Sequence, residues 1–142
     1  DVCPWNNTAT FADPERWAPR PERAHPDLEA WLTTPNEALD ESLSGSPMRR
    51  ARPDGLKRNA LIVLANTHTR SALPTIEAVA AEDPDPVLRA TAVWAARALG
   101  STRIDAIARA DGDPMVRAEL TSQLPPDAPR GTPPNEDLPT TR

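Results

Sequence analysis

Asp83-Pro84-Asp85-Pro86-Val87-Leu88-Arg89-Ala90 recurs 28 residues later as Asp111-Gly112-Asp113-Pro114-Met115-Val116-Arg117-Ala118, and this pair decides the fold. Each copy runs from a turn through a proline-opened helix start to an apolar pair and an arginine. A looser copy, Asp54-Gly55-Leu56-Lys57-Arg58-Asn59-Ala60, lies 31 residues upstream of the first. All three keep an aspartate four residues before an arginine, which places Asp54 with Arg58, Asp85 with Arg89, and Asp113 with Arg117 on common helix faces. Acid toward the N-terminus with base one turn later suits both the helix dipole and an i,i+4 ion pair. Units of about 30 residues that cannot bury their own apolar faces bury them by stacking. The expected architecture is therefore all-α, a HEAT-like α-solenoid of short helix pairs.

Outward from the repeat the spacing stays helical. Leu56, Ala60, Leu61 and Leu64 form a stripe of period 3.6 over Leu56 to Asn66, and Leu73, Ile76, Val79 and Ala80 form the next. Val87 to Leu99, Ile104 to Ala110 and Met115 to Leu124 complete the series. Upstream, Thr34-Pro35-Asn36-Glu37 reads as a capping box with proline at the first helical position, leading to Leu39 and Leu43. Asn66 is placed to end its helix, because asparagine prefers caps to helix interiors. Trp94 reads as a core residue, neighboured by Val87, Ala90 and Ala98, in preference to the alternative of a base-stacking side chain. No stretch alternates with period two for long enough to predict a strand.

The ends differ. Of the 18 prolines, 11 lie in residues 1–26 and 125–142, where each fixes φ and removes a donor. Residues 1–26, which hold Trp5, Phe11 and Trp17, are expected to lie extended; 27–124 form the helical domain. In 125–142 Leu138 is the one sizeable apolar residue, too little to offset about 1–2 kcal/mol of backbone entropy per residue, so this tail is expected to be disordered. A first residue of Asp, with no signal-peptide pattern behind it, reads as an internal piece of a longer polypeptide.

Composition excludes several classes. No run approaches the ~18 apolar residues of a membrane span. The one cysteine cannot form an internal disulfide, which argues against a stapled secreted mini-protein and for a reducing compartment. The net charge of −5 conceals a local excess of the opposite sign: residues 46–70 carry six bases against one acid. Arg49, Arg50, Arg52, Lys57, Arg58 and Arg70 make a concentrated positive segment, introduced by Gly45-Ser46-Pro47. Guanidinium forks and free helix N–H groups both suit phosphate oxygens, so a nucleic acid is a candidate partner, against the alternative of a solvated basic loop. Arg89 and Arg117 occupy the same repeat slot as Arg58 and read as a structural ladder. His25 and His68 stand alone, without carboxylate or thiol neighbours at ligand spacing.

Cys3-Pro4 admits two readings, an exposed thiol or the last ligand of an iron–sulfur motif, where proline turns the chain away from the cluster. Val2-Cys3-Pro4-Trp5-Asn6, Trp17-Ala18-Pro19-Arg20, Gly45-Ser46-Pro47-Met48-Arg49-Arg50, and Arg58-Asn59 leading to Leu64-Ala65-Asn66 occur in an order that resembles the C-terminal part of the epoxyqueuosine reductase family. Trp94-Ala95, after Asp85 and Arg89, extends the likeness to about residue 120.

The resemblance implies a cytoplasmic, cobalamin-dependent parent enzyme with two 4Fe-4S clusters, which reduces the epoxide of a modified base in the tRNA anticodon in the last step of queuosine synthesis. It implies that Cys3 is a cluster ligand at the end of a ferredoxin-like domain. Arg49, Arg50, Lys57, Arg58 and Asn59 would then contact tRNA. The cobalamin and ferredoxin-like domains of the parent would precede Asp1, so this stretch alone would lack reductase activity. A second expectation, independent of the resemblance, is a HEAT-like scaffold whose concave face carries a protein partner and whose basic segment is incidental.

Overall fold

The computed structural model describes residues 25–122. Seven α-helices are present there: α1 (Leu28–Thr33), α2 (Asn36–Ser42), α3 (Arg52–Asn66), α4 (Leu73–Glu82), α5 (Pro86–Ala98), α6 (Ile104–Ala110) and α7 (Pro114–Ala118). Short 3-10 turns at Pro47–Ala51 and Arg70–Ala72 lead into α3 and α4. Among the described residues there is no strand. Cys3, Trp5, Phe11, Trp17 and the tail 125–142 lie outside them.

The helices stack in two rows. In one row α1 touches α4 and α4 touches α6; in the other α3 touches α5 and α5 touches α7; α1–α3, α4–α5 and α6–α7 pair across. This is the expected all-α solenoid, and the repeat read from sequence maps onto the row α3, α5, α7. Leu61, Ile76, Leu88, Val93, Ile104 and Val116 are wholly buried between the rows. Each contributes about 1.5–3 kcal/mol by leaving water. Ala92, Ala95 and Ala96 are buried along α5, where small side chains let the central helix approach its neighbours. A smaller apolar cluster of Leu39, Leu43 and Leu56, with Trp31 and Met48 against it, joins α2 to the start of α3.

Two sequence expectations are corrected at the first helices. Helix α1 was not anticipated, although Asp27 signals it by accepting the Ala30 N–H at 3.0 Å as an N-cap. Its presence changes the role of Thr34. That hydroxyl does not cap α2 but turns back and donates to the Ala30 carbonyl at 2.7 Å, and α2 begins after Pro35 with no side-chain cap. The last helix is also shorter than expected: α7 ends at Ala118, and turns bonded three residues apart carry the chain from Glu119 to Ser122.

The i,i+4 pairing of the repeats is corrected as well. Asp85 and Asp113 are N-caps, accepting the backbone N–H of Val87 at 2.9 Å and Met115 at 2.8 Å. Folded back in this way, neither carboxylate pairs with the arginine one turn on. Arg89 reaches to the following repeat instead, its Nε donating to Asp111 at 2.7 Å and its Nη2 to the same carboxylate at 3.2 Å. Its Nη1 donates to the Asp83 carbonyl at 2.9 Å. Arg117 likewise donates to the Asp111 carbonyl at 2.6 Å. Asp54 accepts from the Asn36 side-chain amide at 2.7 Å, so the third copy has no pair with Arg58. Both arginines are structural, as expected, but in another way: each holds a carbonyl of the turn before its own helix, and Arg89 also joins its unit to the next.

Asn66 ends α3 as expected. The left-handed residue that closes it is His68, at φ 54, whose N–H donates to the Ala65 carbonyl while the Thr69 N–H reaches Leu64. The same closure after α5 uses Gly100 at φ 78, with bonds from Gly100 to Arg97 and Ser101 to Ala96. A Cβ disfavours this backbone, and His68 is exposed. His68→Gly should therefore stabilise the fold by about 1 kcal/mol, read as a rise in the urea midpoint at unchanged slope.

Candidate nucleic-acid interface

An account of the described cations separates the chain into two parts. Beyond Arg70 every arginine side chain among the described residues has a partner. Arg89 holds Asp111, Arg97 clamps the Glu119 carbonyl and Ser122, Arg103 meets Glu77 at 3.2 Å, Arg109 meets Asp105 at 3.2 Å, and Arg117 bonds the Asp111 carbonyl. In the basic segment the balance reverses. The side chains of Arg50, Arg52, Lys57, Arg58 and Arg70 make no hydrogen bond or ion pair with any described residue.

Arg49 is the exception. Its guanidinium grips Asp40 with Nη2 at 2.6 Å and Nε at 3.0 Å. The hydrogen bonds from Arg49 hold the Asp40 carboxyl below the ordinary carboxylate range, and those to Asp40 raise Arg49 further. An RNA phosphate at Arg49 would compete with that carboxylate. Arg50 is exposed beside it on the 3-10 turn. Arg52, at φ 60 and ψ 156, turns the chain from this turn into α3. That backbone region favours glycine and costs a side-chain-bearing residue about 1–3 kcal/mol.

Lys57 occupies the repeat slot that Leu88 and Val116 fill in the other copies, three residues after the marker aspartate. It is only 7% exposed, the one buried charged residue described. A lysine there gives up apolar burial that its counterparts provide, while its long stem can cover apolar surface and bring the ammonium to water. Asn59 is exposed on the next face of α3, without a described partner.

Arg58 points elsewhere than its repeat counterparts. With Ile62 and Asn66, at i, i+4 and i+8, it lines a groove of about 420 Å³ that continues across Thr91 and Trp94 of α5 to Glu119 after α7. Trp94 packs partly against the core but is half-buried and lines this groove. The sequence favours core packing over base stacking for it. Thr91, Asn66 and Glu119 carry no signal as site residues in the sequence; Trp94 does, since it falls seven residues after Val87, on the flank of the apolar stripe.

Two further cavities have no cation in their lining. One is bounded by Thr33, Thr75, Val79 and Asp83, the other by Pro26, Trp31, Leu43 and Met48. No group of three or more His, Cys, Asp or Glu side chains able to hold a metal occurs among the described residues, and no described helix is long and apolar enough to cross a membrane. Cys3 lies outside the described residues.

No protein-family profile matches the chain. Among curated proteins it is 37% identical over 102 residues to the epoxyqueuosine reductase of Listeria monocytogenes, covering 70% of this chain and 26% of that protein. It is 39% identical over 102 residues to the epoxyqueuosine reductase of Bacillus cereus, with the same coverage. The chain thus spans about a quarter of the length of these relatives. Among solved structures it is similar to a selenomethionine-labelled epoxyqueuosine reductase (TM-score 0.70, 28% identity, 84% of this chain and 33% of that one). It is also similar to an epoxyqueuosine reductase crystallised with a tRNA-Tyr epoxyqueuosine-modified stem loop (TM-score 0.68, 30% identity, the same coverage). The resemblance carried by the sequence motifs is borne out by both kinds of match.

Proposed function

We propose that this chain is the C-terminal, tRNA-holding part of an epoxyqueuosine reductase, its helical rows forming a HEAT-like repeat domain. The observation that carries the reading is the concentration of unpaired cations in residues 50–70, on a fold that matches the tRNA-bound reductase over 84% of the chain. Arg50, Lys57 and Arg58 supply positive charge, and Asn59 a neutral donor and acceptor, while Arg49 contributes once it exchanges Asp40 for a phosphate. Phosphate contacts of this kind position an RNA without reading its sequence. Reduction of the epoxide belongs to the whole enzyme, a cytoplasmic oxidoreductase in this reading, and none of its steps is assigned to the described residues.

Cys3 is proposed as a thiolate ligand of a 4Fe-4S cluster. A lone thiolate cannot hold such a cluster, so the remaining ligands must come from outside these 142 residues. When bound, the cluster would supply electrons; cobalamin would be held by other parts of the parent. The Cys-Pro pair and the resemblance support this reading.

The reading is tested by titrating the 142-residue chain against a fluorescently labelled tRNA anticodon stem loop at several salt concentrations. Affinity should fall linearly in log–log form with added salt, with a slope corresponding to about three to five phosphate contacts. Binding that ignores salt, or no binding beside a stable complex with a protein partner, would overturn it in favour of a scaffold.

A further inference from the structure

The groove between α3, α5 and α7 combines features that simple phosphate binding does not need. Arg58, at one end, has no acid among the described residues, whereas its counterparts Arg89 and Arg117 are both held in the structural ladder. Trp94, in the middle, is half-buried and lines the groove instead of closing into the core. At the other end Glu119 brings an acid that would repel a phosphate but accepts hydrogen bonds from an amine. Cation, aromatic ring and acceptor in series fit a nucleotide laid lengthwise. The volume of about 420 Å³ falls within the ~300–1,000 Å³ of small-molecule sites.

We propose that this groove receives one unpaired nucleobase of the bound RNA, stacked on Trp94, with the adjoining phosphate at Arg58. The proposal rests on the RNA-binding reading above and deepens it: the chain would distinguish a loop from a duplex, since only an unpaired base can leave its stack to meet an aromatic side chain. Thr91 and Asn66 then border the base, and Glu119 accepts from its exocyclic amine.

Two measurements on the full chain test this, using a hairpin RNA with an unpaired loop and a blunt duplex of the same stem. Hairpin binding should quench part of the tryptophan emission, and Trp94→Phe should remove most of that quenching while keeping the affinity within about threefold, because phenylalanine still stacks. Trp94→Leu should weaken hairpin binding about tenfold and leave duplex binding unchanged. Quenching undiminished in Trp94→Phe overturns the proposal, as does equal weakening of hairpin and duplex by Trp94→Leu in protein whose circular dichroism matches the parent. A chain that binds neither RNA refutes the RNA-binding reading itself, whereas salt-dependent binding with undiminished quenching refutes only the stacked base.

Discussion

Charge reversal at Arg50 and Arg58 together should reduce affinity for the anticodon stem loop by about a hundredfold or more, with the fold intact. Both side chains are exposed and neither has a described partner, so the substitutions remove nothing that holds the helices together. A charged hydrogen bond contributes about 1.5–3 kcal/mol, close to tenfold or more in affinity for each site. Loss should be similar for unrelated stem sequences, and the salt slope should fall by about two. Arg89→Glu is an unsuitable control because it attacks the ladder; Arg109→Glu, on an exposed pair with Asp105, reverses one charge away from the basic segment and so matches Arg50→Glu or Arg58→Glu taken singly. Equal losses in Arg109→Glu and in either single reversal would mean that overall charge, rather than a localised surface, governs binding. Circular dichroism melts of each variant separate binding loss from unfolding.

The distinction between Arg58 and Arg89 also marks how far the sequence can be read. Both follow an aspartate by four residues, and local spacing predicts the same i,i+4 pair for each. The prediction succeeds where the determinant is local: Asp85 and Asp113 do open helices, and the apolar stripes of α3 to α6 face the core, with Leu73 and Val79 half-buried and Val87 exposed at the edges. It fails where the partner is distant. Arg89 finds Asp111, 22 residues away, and nothing in the intervening spacing announces that the next repeat offers a carboxylate while Asp54 is engaged by Asn36. Lys57 shows the same limit from the other side. Its charge argues for exposure, yet the three-residue offset from Asp54 puts it in the slot of Leu88 and Val116. Helix α1 escaped because six residues between prolines carry too little periodicity to stand out. The groove escaped because it exists only where three helices meet, so Trp94 could be recognised as apolar but not as half-buried.

The link between repeats should be the costliest polar contact to break. Arg89 and Asp111 have side chains only 17% and 9% exposed and meet at 2.7 Å in a two-pronged pair. Asp111 also accepts the Asp113 N–H at 2.8 Å, which sets the turn before α7. Asp111→Ala removes both bonds and leaves the guanidinium largely shielded without its counter-ion, a loss of about 2–3 kcal/mol. For a domain of this size that is a fall in Tm of about 10–20 °C. Adding Arg89→Met should recover part of the loss, since an apolar side chain of similar length leaves no unpaired charge, and the double-mutant cycle should give a coupling above about 1 kcal/mol. The pair has a pH signature of definite sign. Hydrogen bonds from Arg89 and then from the Asp113 amide hold the Asp111 carboxyl below its ordinary range, so its folded value lies under its unfolded value of about 3.9. The contribution is therefore complete above the unfolded value and disappears as pH falls through the folded one. Wild type should lose stability steeply below about pH 4, and Asp111→Asn, less stable at neutral pH, should show a flatter acid limb. Parallel acid limbs for the two proteins would place the titrating group elsewhere and remove Asp111 as the joint between successive helix pairs.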